Sequence, residues 1–196
     1  MPSPLAAQAL DQLFTSARSH NGWQGRPVPE DLLRRVWDLA RMGPTSANGS
    51  PARIHFVVSD AAKRRLAPCL MPGNVEKATT APAVAIIAYD LAFHDRLPEL
   101  FPHEDARSWF AGNDALIEET AIRNGTLQGA YFMLAARALG LDCGPMSGFD
   151  RDAVNAEFFA GTTLRSNFLC GVGYGDPAKL FARSPRLAFD DACRVL

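Results

Sequence analysis

ARMGPTSANGSPARIHFVV, residues 40–58, changes character twice. A helical pattern closes at Met42. Gly43, Pro44, Thr45, Ser46, Asn48, Gly49, Ser50 and Pro51 then crowd into one turn, and IHFVV opens a run of β-branched and aromatic strand formers. A helix stopping at Gly43 and a strand starting past Pro51 set an α and a β element side by side. The turn between them carries more hydroxyl and amide groups than a link requires. It reads either as a plain connector or as a cradle for a polar ligand.

Upstream, PEDLLRRVWDLARMG reads as a helix with Pro29, Glu30 and Asp31 in its first turn and a buried stripe of Leu32, Val36, Leu39 and Ala40. Before it, Ser3-Pro4 suggests a cap and first helical residue, followed by a helix with Leu10, Leu13 and Phe14 on one face. Downstream, Asp60 is the expected cap of AAKRRLA, and NVEKATTA is a second short helix. PAVAIIAYD, without a polar residue from Ala83 to Ala88, reads as a strand buried on both faces. Residues 91–112 are aromatic and broken by prolines, more like a lid or pocket wall than a core element.

From Asp114 to Leu139 there is no proline, and Leu116, Ile117, Ala121, Leu127, Ala130, Tyr131, Leu134, Ala135 and Ala138 mark a helix of about seven turns that closes at Gly140. Its alanines suit close packing, including along a dimer axis. GPMSGFD reads as a sharp turn, RDAVNAEFFA as a helix and SNFLCGVGYG as a strand; the tail from Pro177 has no compact pattern and is expected to wrap over something. The whole is an α+β chain, read as a single domain over residues 1–196.

Twenty basic and twenty-one acidic residues give a formal net charge of -1, which excludes the basic excess of a sequence-independent nucleic-acid binder. No window approaches the ~18 apolar residues of a spanning helix, and the start lacks a basic segment ahead of an apolar one, so a cytoplasmic protein is expected. Cys69, Cys143, Cys170 and Cys193 form no CxxC pair and read as reduced thiols. His20, His55, His94 and His103 have no metal-ligand spacing, so no metal is expected. GVGYGD lacks the helix a dinucleotide fingerprint opens, and PMSGF lacks the first glycine of a nucleophile elbow.

What remains is a scatter of cationic and amide groups in turns: Arg18, His20, Ser46, Asn48, Asn74, Lys77, Arg183 and Arg186. Singly, each is an ordinary solvated residue. Together they suit a ligand with a phosphate and a polyhydroxyl or heterocyclic body. Asn74 and Lys77, three apart, share one helix face.

In this order the pieces resemble the FMN-dependent nitroreductase family. ARSH resembles its phosphate-binding arginine segment, GPTSANGSP its Pro-Ser-Ser-x-Asn-x-Gln-Pro turn, GNVEK its Asn-x-x-Lys pair, GPMSGF its Gly-x-Pro-x-x-Gly-Phe turn and ARSPRL its closing basic pair. Within the family the likeness is to the malonic semialdehyde reductase branch, through HNGW, LPELFPHEDARSWF, EETAIRN, ALGLDCGPMSGFD and GYGDPAKLFARSPRL. The resemblance implies a sandwich around a central mixed sheet flanked by helices, and a domain-extended homodimer with FMN at its interface and the tail reaching across the partner.

It further implies Arg18, His20, Arg183 and Arg186 at the FMN phosphate, and Ser46 and Asn48 reaching the flavin of the partner subunit. Asn74 and Lys77 would meet the pyrimidine edge, and backbone groups of Pro145, Met146, Ser147 and Gly148 would face N5 and O4. Two departures stand out. Gly22 replaces a lysine or arginine found in many members, so part of the charge near the flavin must come from elsewhere; Ser50-Pro51-Ala52 replaces Gln-Pro-Trp. The implied activity is ping-pong reduction of malonic semialdehyde to 3-hydroxypropanoate with NADPH or NADH, Lys77 acting electrostatically. Arg107, then His103, is the candidate for the substrate carboxylate, and an ion pair of Arg107 with Glu104 or Asp105 is the plain alternative. Rival readings are a broad-specificity reductase of nitroaromatics or quinones, and a flavin-storage protein without turnover.

Overall fold

The computed structural model describes residues 3–196. Its four strands, β1 (Ala52–Val57), β2 (Ala83–Asp90), β3 (Asp142–Met146) and β4 (Leu164–Gly173), lie in the order β1-β2-β4-β3. All three strand pairs are antiparallel. The parallel component expected of a mixed sheet is confined, among the described residues, to a single bridge between Ser19 and Cys143.

Alternation along β2 divides the core. Ala83, Ala85 and Ile87 face one cluster with Leu33, Val36 and Ala40 of α2 (Glu30–Ala40) and Phe132 and Ala136 of α6 (Asp114–Ala138). Val84, Ile86 and Ala88 face the other, with Leu66 of α3 (Asp60–Leu66), Ala78 of α4 (Pro72–Thr79) and Val154 of α7 (Arg151–Phe158). An uninterrupted apolar strand is what two covered faces require. Residues 91–112 contain α5 (Leu97–Leu100) between tight turns and bury Phe93, Leu97 and Phe110 in a third cluster, so this segment is more of a core element than its sequence suggests.

The long helix is where it was expected and ends at Gly140 with φ +79°. Its sheet-facing side is different. The buried residues include Thr120, Asn124, Gly125, Gln128 and Gly129, while Leu127 and Tyr131 are exposed. Two glycines bring the helix close: a Cβ on Gly129 would stand 2.7 Å from the Phe168 ring, and one on Gly125 would stand 3.0 Å from Tyr89. The polar side chains hold other elements. Asn124 Oδ1 accepts from Ser46 N at 2.8 Å, and Gln128 Oε1 accepts from Ala52 N at 2.8 Å.

Smaller expectations also shift. Ser59, not Asp60, caps α3, its side chain accepting from Ala62 N. Leu33 replaces Leu32 in the buried stripe of α2, and Leu39 is exposed. The first helix is α1 (Ala7–Leu10) running into a π-turn over Asp11–Thr15, with Ala6 at its cap and Leu10 and Phe14 exposed. GPM belongs to β3, not to a turn. The tail adds a 3-10 turn over Pro177–Lys179 and α8 (Phe189–Ala192). Among the described residues no helix is long and apolar enough to cross a membrane.

Because a side chain on Gly129 would meet the Phe168 ring and Ile87, Gly129→Leu should lower unfolding free energy by about 1–3 kcal/mol, in the range of core overpacking. Urea denaturation measures it; an unchanged midpoint would mean the helix does not approach the sheet so closely.

Candidate functional site

Proline at the first position of α4 and the 3.6-residue turn put Asn74 and Lys77 on one helix face, toward the end of β3. Asn74 Nδ2 donates to Gly148 O at 2.9 Å, and Lys77 Nζ donates to Pro145 O at 3.0 Å. Lys77 is 8% exposed. Burial pushes its pKa below the ordinary lysine value. An ammonium has three protons to donate, and Pro145 O takes one. A charge kept in so dry a place suits an anionic or electron-rich partner.

Pro145 and Met146 end β3, and Met146 is buried. Ser147 is exposed, and the N–H groups of Ser147 and Gly148 find no acceptor among the described residues. A Cβ at Gly148 would stand 2.6 Å from Asn74 Nδ2, so this corner admits only a bare backbone beside the amide. The arrangement offers backbone donors, an amide and an ammonium around one edge.

Trp23, which the sequence reading did not single out, ties this edge to the N-terminal segment. Its indole N–H donates to Lys77 O at 2.8 Å, and its ring fills the space over Gly144, Gly171 and Gly173. Three glycines on two adjacent strands were the available signal; they mark a slot for a flat side chain.

A second group gathers where chain start meets tail. Arg18 donates to Phe181 O, and Arg183 Nη2 donates back to Thr15 O at 2.8 Å and Ala17 O at 2.9 Å. Arg186 reaches only Ser184 O and Pro185 O, at 3.0 and 3.1 Å. Among the described residues none of the three guanidiniums meets a carboxylate within 4.0 Å, so their charge is uncompensated. His20 is more deeply committed. Its backbone N bonds Cys143 O at 3.0 Å, its Nε2 lies 3.3 Å from Asp142 Oδ1, and its buried Nδ1 has no partner among the described residues. The ring occupies the space above Gly175, where any Cβ would collide with it.

Ser46 and Asn48 stand apart from both groups. The turn is pinned from below by Asn124, by Thr45 Oγ1 accepting from Ser50 N at 3.1 Å, and by Asn48 Nδ2 donating to Leu100 O at 2.9 Å. Ala47, Asn48 and Ser50 have φ of 48°, 50° and 43°. Left-handed backbone costs about 1–3 kcal/mol at a non-glycine residue and gathers at functional sites. Three such residues fall within four positions of this turn.

Arg107 pairs with Asp95 at 2.8 Å, and neither Glu104 nor Asp105 is its partner. His103 packs against Phe101, the ring centroids 3.9 Å apart and the planes tilted by 52°. Both line a shallow recess of about 370 Å³ with Pro98 and Pro102.

A sequence model described as the Nitroreductase family matches residues 15–175. The chain is 64% identical over 191 residues to a Burkholderia lata protein, covering 97% of this chain and 98% of the other. It is 60% identical over 193 residues to HadB of Ralstonia pickettii, covering 97% and 98%. Both are named as candidate NADH dehydrogenase/NAD(P)H nitroreductases. The fold is similar to that of a nitroreductase from Exiguobacterium sibiricum solved in complex with FMN, with a TM-score of 0.85, 19% identity and all of both chains covered.

The buried ammonium makes a pH prediction. Lys77 loses its proton more readily in the folded chain than at the unfolded value of 10.5, so between those two points the unfolded chain holds more protons and rising pH favours folding. Wild type should gain stability relative to Lys77→Met between neutral pH and about pH 10, read from urea unfolding at several pH values. Parallel pH profiles would show that Lys77 is solvated.

Proposed function

The chain belongs to the nitroreductase family, and from that premise we propose that it is an FMN-dependent oxidoreductase that spends NAD(P)H to reduce malonic semialdehyde to 3-hydroxypropanoate. The observation that carries the cofactor is the pairing of an uncompensated arginine group at one end with a dry ammonium, an amide and unpaired backbone N–H groups at the other. Those donors fit a flavin mononucleotide: guanidinium forks for a phosphate, polar edge groups for a pyrimidine. When bound, FMN supplies the two-electron chemistry that links a nicotinamide donor to a small acceptor.

The chain's own groups do the rest. Arg18, Arg183 and Arg186 hold the phosphate, and His20 braces the backbone beneath it. Asn74 and Lys77 fix the pyrimidine edge, with the Lys77 charge stabilising electron density that accumulates there, an effect strengthened by the low exposure of the site. The N–H groups of Ser147 and Gly148, without acceptors among the described residues, would be free to donate to a bound flavin. No side chain is required as proton donor, and water would serve.

Ser46 and Asn48 contact the 91–112 segment and α6, not the group around Lys77. We therefore assign them to the flavin of a second subunit in a homodimer. Exposed Leu127 and Tyr131 on α6, and Phe181, Leu187, Phe189 and Val195 in the tail, are apolar groups that such a partner would cover. Arg107 is the group assigned to the substrate carboxylate; its pairing with Asp95 joins two exposed side chains, an interaction weak enough to yield to a better partner. The buried thiols Cys69, Cys143 and Cys170 suit a reducing cytoplasm.

The names of the relatives favour a second reading, a broad-specificity nitroreductase or quinone reductase, which uses the same cofactor groups. The purified protein should be yellow, be bleached by NADPH under nitrogen, recover on addition of malonic semialdehyde, and run as a dimer. Higher kcat/KM for a nitroaromatic than for the aldehyde would favour the second reading. A colourless protein that takes up no FMN rejects both. Arg107→Ala should raise KM for malonic semialdehyde about tenfold or more with kcat little changed, by loss of one charge-assisted pair; an unchanged KM removes Arg107 from the site. Asn48→Ala should weaken FMN retention more than turnover of the loaded enzyme.

A further inference from the structure

Resting on the assignment of FMN to this chain, we infer that Lys179 is a second ammonium of the flavin site, parked on Glu76 and released to the cofactor when it binds. The argument starts at Gly22. This buried glycine stands where the family resemblance leads one to expect a cation. A Cβ placed on it would lie 2.1 Å from Cδ of Lys179, 3.0 Å from its Cγ and 3.1 Å from its Cβ. The stem of Lys179 therefore runs across the bare face of residue 22. The charge missing from the N-terminal segment arrives there from the far end of the sequence.

That approach is fixed by the backbone. Asp176 N donates to Gly22 O at 3.0 Å, Lys179 N donates to Asp176 O at 3.1 Å, and the Asp176 carboxylate accepts from Ala178 N at 3.0 Å. The turn over Pro177–Lys179 is thus locked onto residue 22. From it the Lys179 ammonium reaches Glu76 Oε1 at 3.0 Å, and Glu76 precedes Lys77 on α4. Trp23, next to Gly22, closes the loop through its bond to Lys77 O. Lys179 and Lys77 are consequently approached from two sides of one small ring of contacts.

The two lysines are held differently. Lys77 is 8% exposed, whereas the side chains of Lys179 and Glu76 are 50% and 76% exposed. A pair that open to water is screened by salt and easily exchanged, so the electron-rich pyrimidine edge at Lys77, anionic once the flavin is reduced, can take the Lys179 ammonium from Glu76. Because the reduced cofactor is the more negative form, a second ammonium there favours reduction.

The test titrates FMN into cofactor-stripped protein, following quenching of flavin fluorescence, and then measures the midpoint potential of each reconstituted variant. Lys179→Met should bind FMN about tenfold more weakly, and a tenfold smaller preference for the reduced form lowers its midpoint potential by about 30 mV for a two-electron couple. Lys179→Arg should restore both. Glu76→Gln, which removes the competing carboxylate, should tighten binding about two- to threefold, the scale of an exposed ion pair. Gly22→Ala should weaken binding in the wild-type background and change nothing in the Lys179→Met background, because its methyl acts by displacing the lysine stem. Urea midpoints equal to wild type exclude misfolding at this exposed site. Unchanged affinity and potential in Lys179→Met, in a wild-type background that does bind FMN, overturn the inference and leave an ordinary surface ion pair. A wild-type protein that binds no FMN overturns the cofactor assignment itself, and this inference with it.

Discussion

The structure depends on β2 having no face left for water. Ala83 through Ala88 are fully buried, odd residues against α2 and α6, even residues against α3, α4 and α7. Antiparallel pairing to β1 and β4 satisfies its backbone, so the strand exposes neither edge nor face. Both helical layers must then close on it, and the loops that lead out of those layers are brought to fixed places. The GPTSANGSP turn is held between α2 and β1, the Asn74 and Lys77 face looks onto the end of β3, and the tail leaves β4 beside the N-terminal segment.

The polar groups at these places work against stability. Lys77 is held in a dry site, three residues of one turn carry left-handed backbone, and His20 keeps a buried nitrogen without a partner among the described residues. Each is tolerated because the sheet and its two layers over-determine the surroundings. Such local violations of what folding alone would choose tend to gather at functional sites. Here they occur on segments far apart in sequence that the sheet order brings into two groups, with Ser46 and Asn48 in a place of their own.

The long helix shows how a correct periodicity can carry only part of the buried face, for Ala121 and Ala135 are buried as expected. Apolar residues from Leu116 to Ala138 predict both its length and its stop, yet Leu127 and Tyr131 lie outside while Asn124, Gly125, Gln128 and Gly129 face inward. Two effects account for the reversal. Glycines let the helix approach the sheet until Phe168 and Tyr89 fill the gap, and the amides repay their burial by bonding Ser46 N and Ala52 N. Neither the close approach nor the distant N–H groups is visible in a hydropathy pattern.

By itself the sequence determined most of the elements and which polar residues fall in turns and on shared helix faces. The two-sided strand, the seven-turn helix, the placement of Asn74 and Lys77 on one helix face and the ligand-like turn at 43–51 all follow from short-range spacing, because period and capping are local. Tertiary structure decided what lies across from what: the antiparallel sheet order, Trp23 wedged over three glycines, Arg18 and Arg183 exchanging carbonyls between chain ends, and Lys179 laid over Gly22. The side-chain contacts among these join residues more than fifty positions apart. No local pattern encodes such a meeting; it exists only once the buried strand has forced both layers into place.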